Sequence, residues 1–506
     1  MLDRIARLPF FVLLMAIGAS AMLVPSFHGW VLGDFVAMRV FFYGFLLFSF
    51  LTVMVGLATL GYNPASVTRS QLFALFAAFA GLPLMLAVPF YEAAGNTTFL
   101  NAWFEMVSSL TTTGATVYDN IGRLTPSLHL WRATVGWLGG LLMWVVAVSI
   151  FAAMNLGGFE VQAEGGVAGT STRFQHISRA ADPSERMSRF AAQLFPIYTG
   201  LTFLLWIGLV IMGEVPYVAL CHAMAVLSTS GISPISGLYY SVSGFWGELL
   251  IFVFFIFAIS RITFAPKRYV SRRKTLRDDP ELQLAIVLIV CTTLALFLLH
   301  FVGSFETATQ TTWTAVFASI WGALFTVTSF LTTTGFESHY WEGAAEWSNL
   351  QTPGLFLLGL ALIGGGVATT AGGVKLLRIY ALFRHGEREV GRLLHPSSVA
   401  GGGRVARRIR RQGAYISWVF FMLFALSIAG VMLLLSLTGV QFETAMIMSV
   451  AALSTTGPLA QLAAENPISY AGIPDTAKMI LAAAMVLGRL ETLAIIALFN
   501  PEVWRQ

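Results

Sequence analysis

The chain has 506 residues, 57% of them hydrophobic and 11% charged, with a formal net charge of +5. A soluble domain carries about 25% charged residues, so a water-soluble enzyme of this size is all but excluded. Apolar runs of about 18 residues or more recur along the whole chain and place it in the helical membrane class.

Two predicted spans, 9–26 and 39–61, come first. Arg4 and Arg7 before the first, with small residues at Ala19–Ala21, could pass for a signal peptide. The segment is read instead as a retained span, and residues 1–68 as two leading transmembrane helices. Next, spans 70–93 and 128–156 flank a short middle piece at 97–120, giving a first unit over 69–160. After a cytoplasmic loop at 161–189, the plan returns in 190–266, with spans 190–212 and 245–265 around Pro216–Gly237. A loop at 267–280 precedes the third unit, 281–383, with spans 281–303 and 353–375 around 312–345. A basic loop at 384–412 leads to the last unit, 413–506, with spans 413–439 and 477–499 around 443–470. The expectation is an all-α polytopic membrane protein with ten full spans. Four pseudo-symmetric helix–pore loop–helix units surround a central ion pore, preceded by the two extra helices.

Charge sets the orientation. Lys and Arg are absent from 190–260, 281–374 and 412–477. They crowd between those gaps, at Arg173–Arg189, at Arg261–Arg277, and from Lys375 through Arg378, Arg384 and Arg388 to Arg411. Such clusters mark cytoplasmic loops. Because each joins hydrophobic spans, a nucleic-acid patch is the weaker reading. A Lys/Arg-free stretch with both ends inside crosses an even number of times, which also puts the N-terminus in the cytoplasm. Cys221 and Cys291 sit in apolar surroundings and offer no disulfide framework.

Each middle piece carries the pattern Leu-[Ser/Thr]-Thr-[Ser/Thr]-Gly. After Leu110 it reads Thr111, Thr112, Thr113, Gly114; after Leu227, Ser228, Thr229, Ser230, Gly231. After Leu331 it reads Thr332, Thr333, Thr334, Gly335; after Leu453, Ser454, Thr455, Thr456, Gly457. One copy means nothing, but four at corresponding places are an internal repeat. An apolar piece of about ten residues before each copy is too short to span and reads as a half-helix ending at the motif. Non-helical backbone at that depth is tolerated where it is buried or lines water. Glycine permits positive φ, which turns consecutive carbonyls to one side. Four such loops around one axis make a ring of oxygens that replaces a cation's hydration shell, with half-helix carboxyl ends directing negative dipole inward.

Two further features break the span pattern. Gly364, Gly365, Gly366, Gly372 and Gly373 fall within ten residues of the third unit's second span. At about 1 kcal/mol each relative to Ala, they predict a bend or an unwound loop, although close helix packing is an alternative. Lys375 follows, with Arg378, at the cytoplasmic edge. Arg489 lies near the middle of the last span, where an Arg costs roughly 2.5–3.5 kcal/mol on insertion scales. It therefore faces protein or water, as a structural ion pair or as a fixed charge below the ring; Glu491 is two positions on and points elsewhere on a helix.

These four motifs, the four units and the leading pair resemble the Trk/Ktr/HKT superfamily of potassium transporters. The ending Gly488-Arg489-Leu490-Glu491 is most similar to its bacterial TrkH branch. The resemblance implies that the sixteen motif residues form a potassium-selective filter with potassium bound at them. It implies an intramembrane gating loop at Gly364–Gly373 and a pore arginine at Arg489. It also implies a homodimer in the bacterial inner membrane and a cytosolic nucleotide-binding partner similar to TrkA. That partner would dock on Arg384–Arg411 or Arg261–Arg277, for which anionic lipid is the other claimant. Potassium is cargo, and no organic cofactor is expected. No phosphate-cradling loop or paired metal motif occurs, and no convergent catalytic cluster points to an enzyme. His222 reads as a hydrogen-bonded membrane histidine. The rival reading is a sodium-coupled secondary transporter of a small organic solute using discontinuous helices.

Overall fold

The computed structural model describes residues 9–59, 67–152, 158–161, 183–260, 279–303, 313–348, 350, 352–394 and 411–490. Helices α1 (Phe10–Ala21) and α2 (Leu23–Leu32) run on as one bent rod, and α3 (Phe35–Ala58) turns back. The turn is built from Gly33, left-handed at φ 75°, and from Asp34, whose carboxylate accepts from Ala37 N at 3.1 Å and caps α3.

Four helix–short helix–helix groups follow. The first is α4 (Val67–Ala94), α5 (Phe99–Leu110) and α6 (Pro126–Val146), which continues into a π turn at Ala147–Phe151. The second is α7 (Pro183–Ile211), α8 (Pro216–Ser228), α9 (Gly244–Phe254) and α10 (Ile256–Ile259). The third is α11 (Pro280–Gly303), α12 (Trp313–Leu331), α13 (Trp341–Ser348), α14 (Gly354–Ile363) and α15 (Leu376–Leu394). The fourth is α16 (Arg411–Leu437), α17 (Phe442–Leu453), α18 (Leu459–Leu462) and α19 (Asp475–Leu490). Among the described residues there is no strand.

Burial separates an outer from an inner layer. The apolar window of Pro126–Phe151 is 78% buried, against 28% for Met187–Ile211 and 22% for both Pro280–Leu299 and Gly413–Leu437. The first helix of the later groups therefore faces lipid, and α6 faces the centre. Three shared cores tie the groups into a closed arrangement. One joins the leading helices to the first and fourth groups, one joins the third to the fourth, and one runs from Trp144 through Tyr198 and Ala223 to Phe325.

Eight helices among the described residues are long and apolar enough to cross a membrane. These eight differ from the ten expected spans in four places. The predicted span 245–265 divides into α9 and α10, and 353–375 stops at Ile363. Conversely, the third motif helix, α12, has 19 residues rather than about ten, so its length alone does not distinguish it from a span. The last span is described to Leu490.

Candidate ion pathway

Each motif sits at the carboxyl end of a short helix, and its backbone is a repeated C-cap. In the first group Thr113 N donates to Ser108 O at 2.8 Å and Thr112 N to Ser109 O at 2.9 Å. The equivalent bonds run from Ser230 N to Ala225 O, Thr334 N to Ser329 O and Thr456 N to Ala451 O, at 2.8–2.9 Å. This pairing is the Schellman arrangement, whose pivot residue is left-handed and usually glycine. Here the pivot is the central threonine: φ is 56° at Thr112, 53° at Thr229, 55° at Thr333 and 56° at Thr455. A β-branched residue at positive φ is a genuine outlier, and its recurrence in four loops makes it a designed feature of the site.

Glycine supplies the next left-handed residue in three loops, at φ 74° for Gly114, 61° for Gly231 and 80° for Gly335. Gly457 departs from the expectation and is not left-handed. Pro458 follows it, and the residue before proline is driven towards extended backbone. Glycine is required there for space instead, because a β-carbon on Gly457 would collide with Ala115. The outer hydroxyls of each motif brace the loop: Thr111 to Thr113 at 2.9 Å, Ser228 to Ser230 at 2.9 Å, Thr332 to Thr334 at 3.0 Å and Ser454 to Thr456 at 3.3 Å.

The four loops touch in cyclic order. A β-carbon on Gly114 would strike Ser230 O, and one on Gly231 would strike Thr334 O. One on Gly335 would lie 3.0 Å from Pro458 Cγ, and Gly457 N donates to Thr113 O at 2.6 Å. All four glycines line one cavity, which Asp119, Arg132 and Glu337 also line. The Glu337 carboxyl is pushed up to about 7, first by burial and then by the charge of Glu342.

The glycine run after α14 leaves helical geometry, with Gly364 at φ 74° and Gly373 at 76°. The loop is buried directly beneath the ring. Gly372 N donates to Thr333 Oγ1 at 2.7 Å, Thr370 Oγ1 donates to Leu227 O at 3.1 Å, and a β-carbon on Gly372 would strike Ser454 O. Gly366 N donates to Ala258 O at 2.9 Å and Val367 N to Glu281 Oε1 at 3.1 Å, which anchors the other side. Gly365 packs just as closely, since its β-carbon would meet Ala371 Cβ at 2.5 Å. Lys375 does not mark an exposed edge: it is buried, and its ammonium donates back to Ala371 O. Arg378 is likewise buried, 3.6 Å above the Phe420 ring.

Arg489 is buried on α19 and donates from Nη2 to Thr112 Oγ1 at 2.5 Å. Among the described residues no carboxylate pairs with it. Glu491, the basic stretch Arg261–Arg277 and most of Arg404–Arg411 lie outside the described residues. Sequence reasoning missed the left-handed threonines and the pair formed by Glu105 and Arg132, 2.8 Å apart and buried. The pair had a signal: opposite charges within apolar segments are rare enough to be sought out.

The family model of TrkH, a cation transport protein, matches residues 39–505. The Trk system potassium uptake protein TrkH of Salmonella typhimurium is 30% identical over 433 residues, 83% of either chain. That of Halomonas elongata is 29% identical over 487 residues, 90% of this chain and 91% of its own. The crystal structure of the potassium transporter TrkH from Vibrio parahaemolyticus is similar with a TM-score of 0.80 at 26% identity, and the whole of both chains is covered.

Proposed function

The chain belongs to the TrkH family of cation transport proteins, and from that premise we propose that it takes up potassium across a bacterial cytoplasmic membrane through the ring of four motif loops. It is a transporter and not an enzyme. The filter comprises the motif residues from Thr111 to Gly114, Ser228 to Gly231, Thr332 to Gly335 and Ser454 to Gly457, and potassium passes as cargo. The segment from Gly364 to Lys375 acts as the gate, and Arg489 as a fixed charge beneath the filter. The units divide as 69–160, 190–266, 281–383 and 413–506 after the leading residues 1–68, with the N-terminus in the cytoplasm. The protein works as a homodimer with a cytosolic nucleotide-binding regulator.

The observation that carries this reading is the cyclic packing, each glycine against the next loop, because only a closed ring can surround a dehydrated cation. The test is passive flux into liposomes holding the purified protein. Potassium and rubidium entering without any organic solute, and faster than sodium, is the expected result. Flux that requires an organic solute and sodium would favour the secondary-transporter alternative.

A further inference from the structure

The four motif helices carry a different residue at one equivalent place, five positions before the motif leucine: Glu105, His222, Thr326 and Met448. All four are buried. In three of them the side chain reaches over the motif to the segment that leaves the filter. Glu105 Oε1 accepts from Thr116 Oγ1 at 2.8 Å and from Val117 N at 2.7 Å, while its other oxygen faces Arg132 Nε at 2.8 Å. His222 Nε2 meets Ser233 Oγ at 2.9 Å. Thr326 Oγ1 accepts from Ser338 N at 3.2 Å. Met448 has no polar group to offer, and in the fourth loop Tyr470 OH instead donates to Gly457 O at 3.0 Å.

A second layer repeats the inequality. Two residues before the motif leucine stand Ser108, Ala225, Ser329 and Ala451. Ser108 Oγ donates to Ala115 O at 2.7 Å, and Ser329 Oγ accepts from Phe336 N at 2.7 Å. The alanines can do neither. Loops one and three, opposite one another in the ring, are thus each held by both layers from behind, and loops two and four by one bond each. Glu248 adds to the third loop, accepting from Ser338 Oγ at 2.7 Å and His339 N at 2.6 Å.

We infer that Glu105, keyed to Arg132, and Thr326 are positioning residues that determine cation specificity, holding two opposite filter loops at a fixed width from behind. The inference rests on the filter reading above. The physical reason is that a ring of oxygens discriminates between cations only while it resists closing on the smaller one. A carboxylate accepting two hydrogen bonds and pairing with a guanidinium is the stiffest available brace in a buried setting. The braces bond the segments that follow the motifs, so they act on the cation through the loops and not by direct contact.

The test measures potassium and sodium permeability, with a melting curve, on the purified full chain in liposomes. The variants are Thr326→Val, which keeps shape and loses the acceptor, Thr326→Ser, which keeps it, Glu105→Gln and Glu105→Ala. Potassium over sodium preference is expected to fall about fivefold in Thr326→Val, the size of one lost hydrogen bond. Thr326→Ser restores it, and Glu105→Ala falls further than Glu105→Gln. An unchanged preference in folded Thr326→Val overturns the inference, as does a loss of stability with preference intact. If the Glu105 variants do not fold, the Thr326 pair decides alone. A wild-type protein without potassium preference would instead sink the filter reading itself, which keeps the two failures apart.

Discussion

At the residue scale, the proposed role of Arg489 predicts the largest single effect. A guanidinium about 6 Å from a cation, at an effective dielectric of about 20, opposes it by roughly 3 kcal/mol. Beneath the proposed filter, that would slow crossing on the order of a hundredfold. Arg489→Ala should raise rubidium uptake per purified protein, and Arg489→Lys should keep most of the barrier. Lower stability with no gain in uptake would assign the residue to structure instead. Gly335→Ser adds a β-carbon at φ 80° against Pro458, so it should reduce potassium preference over sodium. Glu337 gives the pH dependence. Burial, and then the charge of Glu342, push its carboxyl up to about 7, so it is neutral at lower pH and charged at higher pH. A negatively charged cavity lining gathers cations, so uptake from dilute potassium should rise as external pH increases through 7, and Glu337→Gln should flatten the curve. The glycines of these loops were legible in the sequence. The left-handed threonines were not, because propensity argues against a β-branched residue at positive φ.

At the scale of elements, the loop between α14 and α15 is held to the ring by few bonds, and each tests the proposed gate. Thr370→Val removes the bond to Leu227 O, about 1 kcal/mol net. It should raise flux roughly fivefold while leaving cation preference unchanged, because it touches a helix end and not the ring. A changed preference with unchanged flux would place the loop in the filter rather than below it. Composition located this break, since five glycines in ten residues cannot continue a helix cheaply. Composition failed at α12, which is as long and apolar as a span although it ends in a motif. Hydropathy measures what a helix touches and not where it stops, so only the repeated motif separates α12 from the spans around it.

At the scale of the molecule, four loops from one chain meet around one axis. If each chain forms its own filter, wild-type and Gly335→Ser chains mixed in one membrane should give the sum of two kinds of pore. A new intermediate preference would mean loops shared between chains. The four units and their order were legible because charge and motif repeat together along the chain. The inequality between the two pairs of opposite loops was not. It arises from residues such as Glu105, His222 and Thr326, which share a place but no chemistry and become comparable only when the helices are superposed by their motifs.

The bond from Gly457 N to Thr113 O joins residues 344 positions apart (457 minus 113). Synthesis proceeds from the amino end at about 5–20 residues per second, so the first loop waits for its last neighbour for tens of seconds. An interrupted chain therefore lacks one wall of the conduit and cannot complete it. Closure comes last, as a contact of high sequence separation that forms late because its loop entropy must be met first. The proposed pathway is therefore closed only once the carboxyl-terminal unit has arrived.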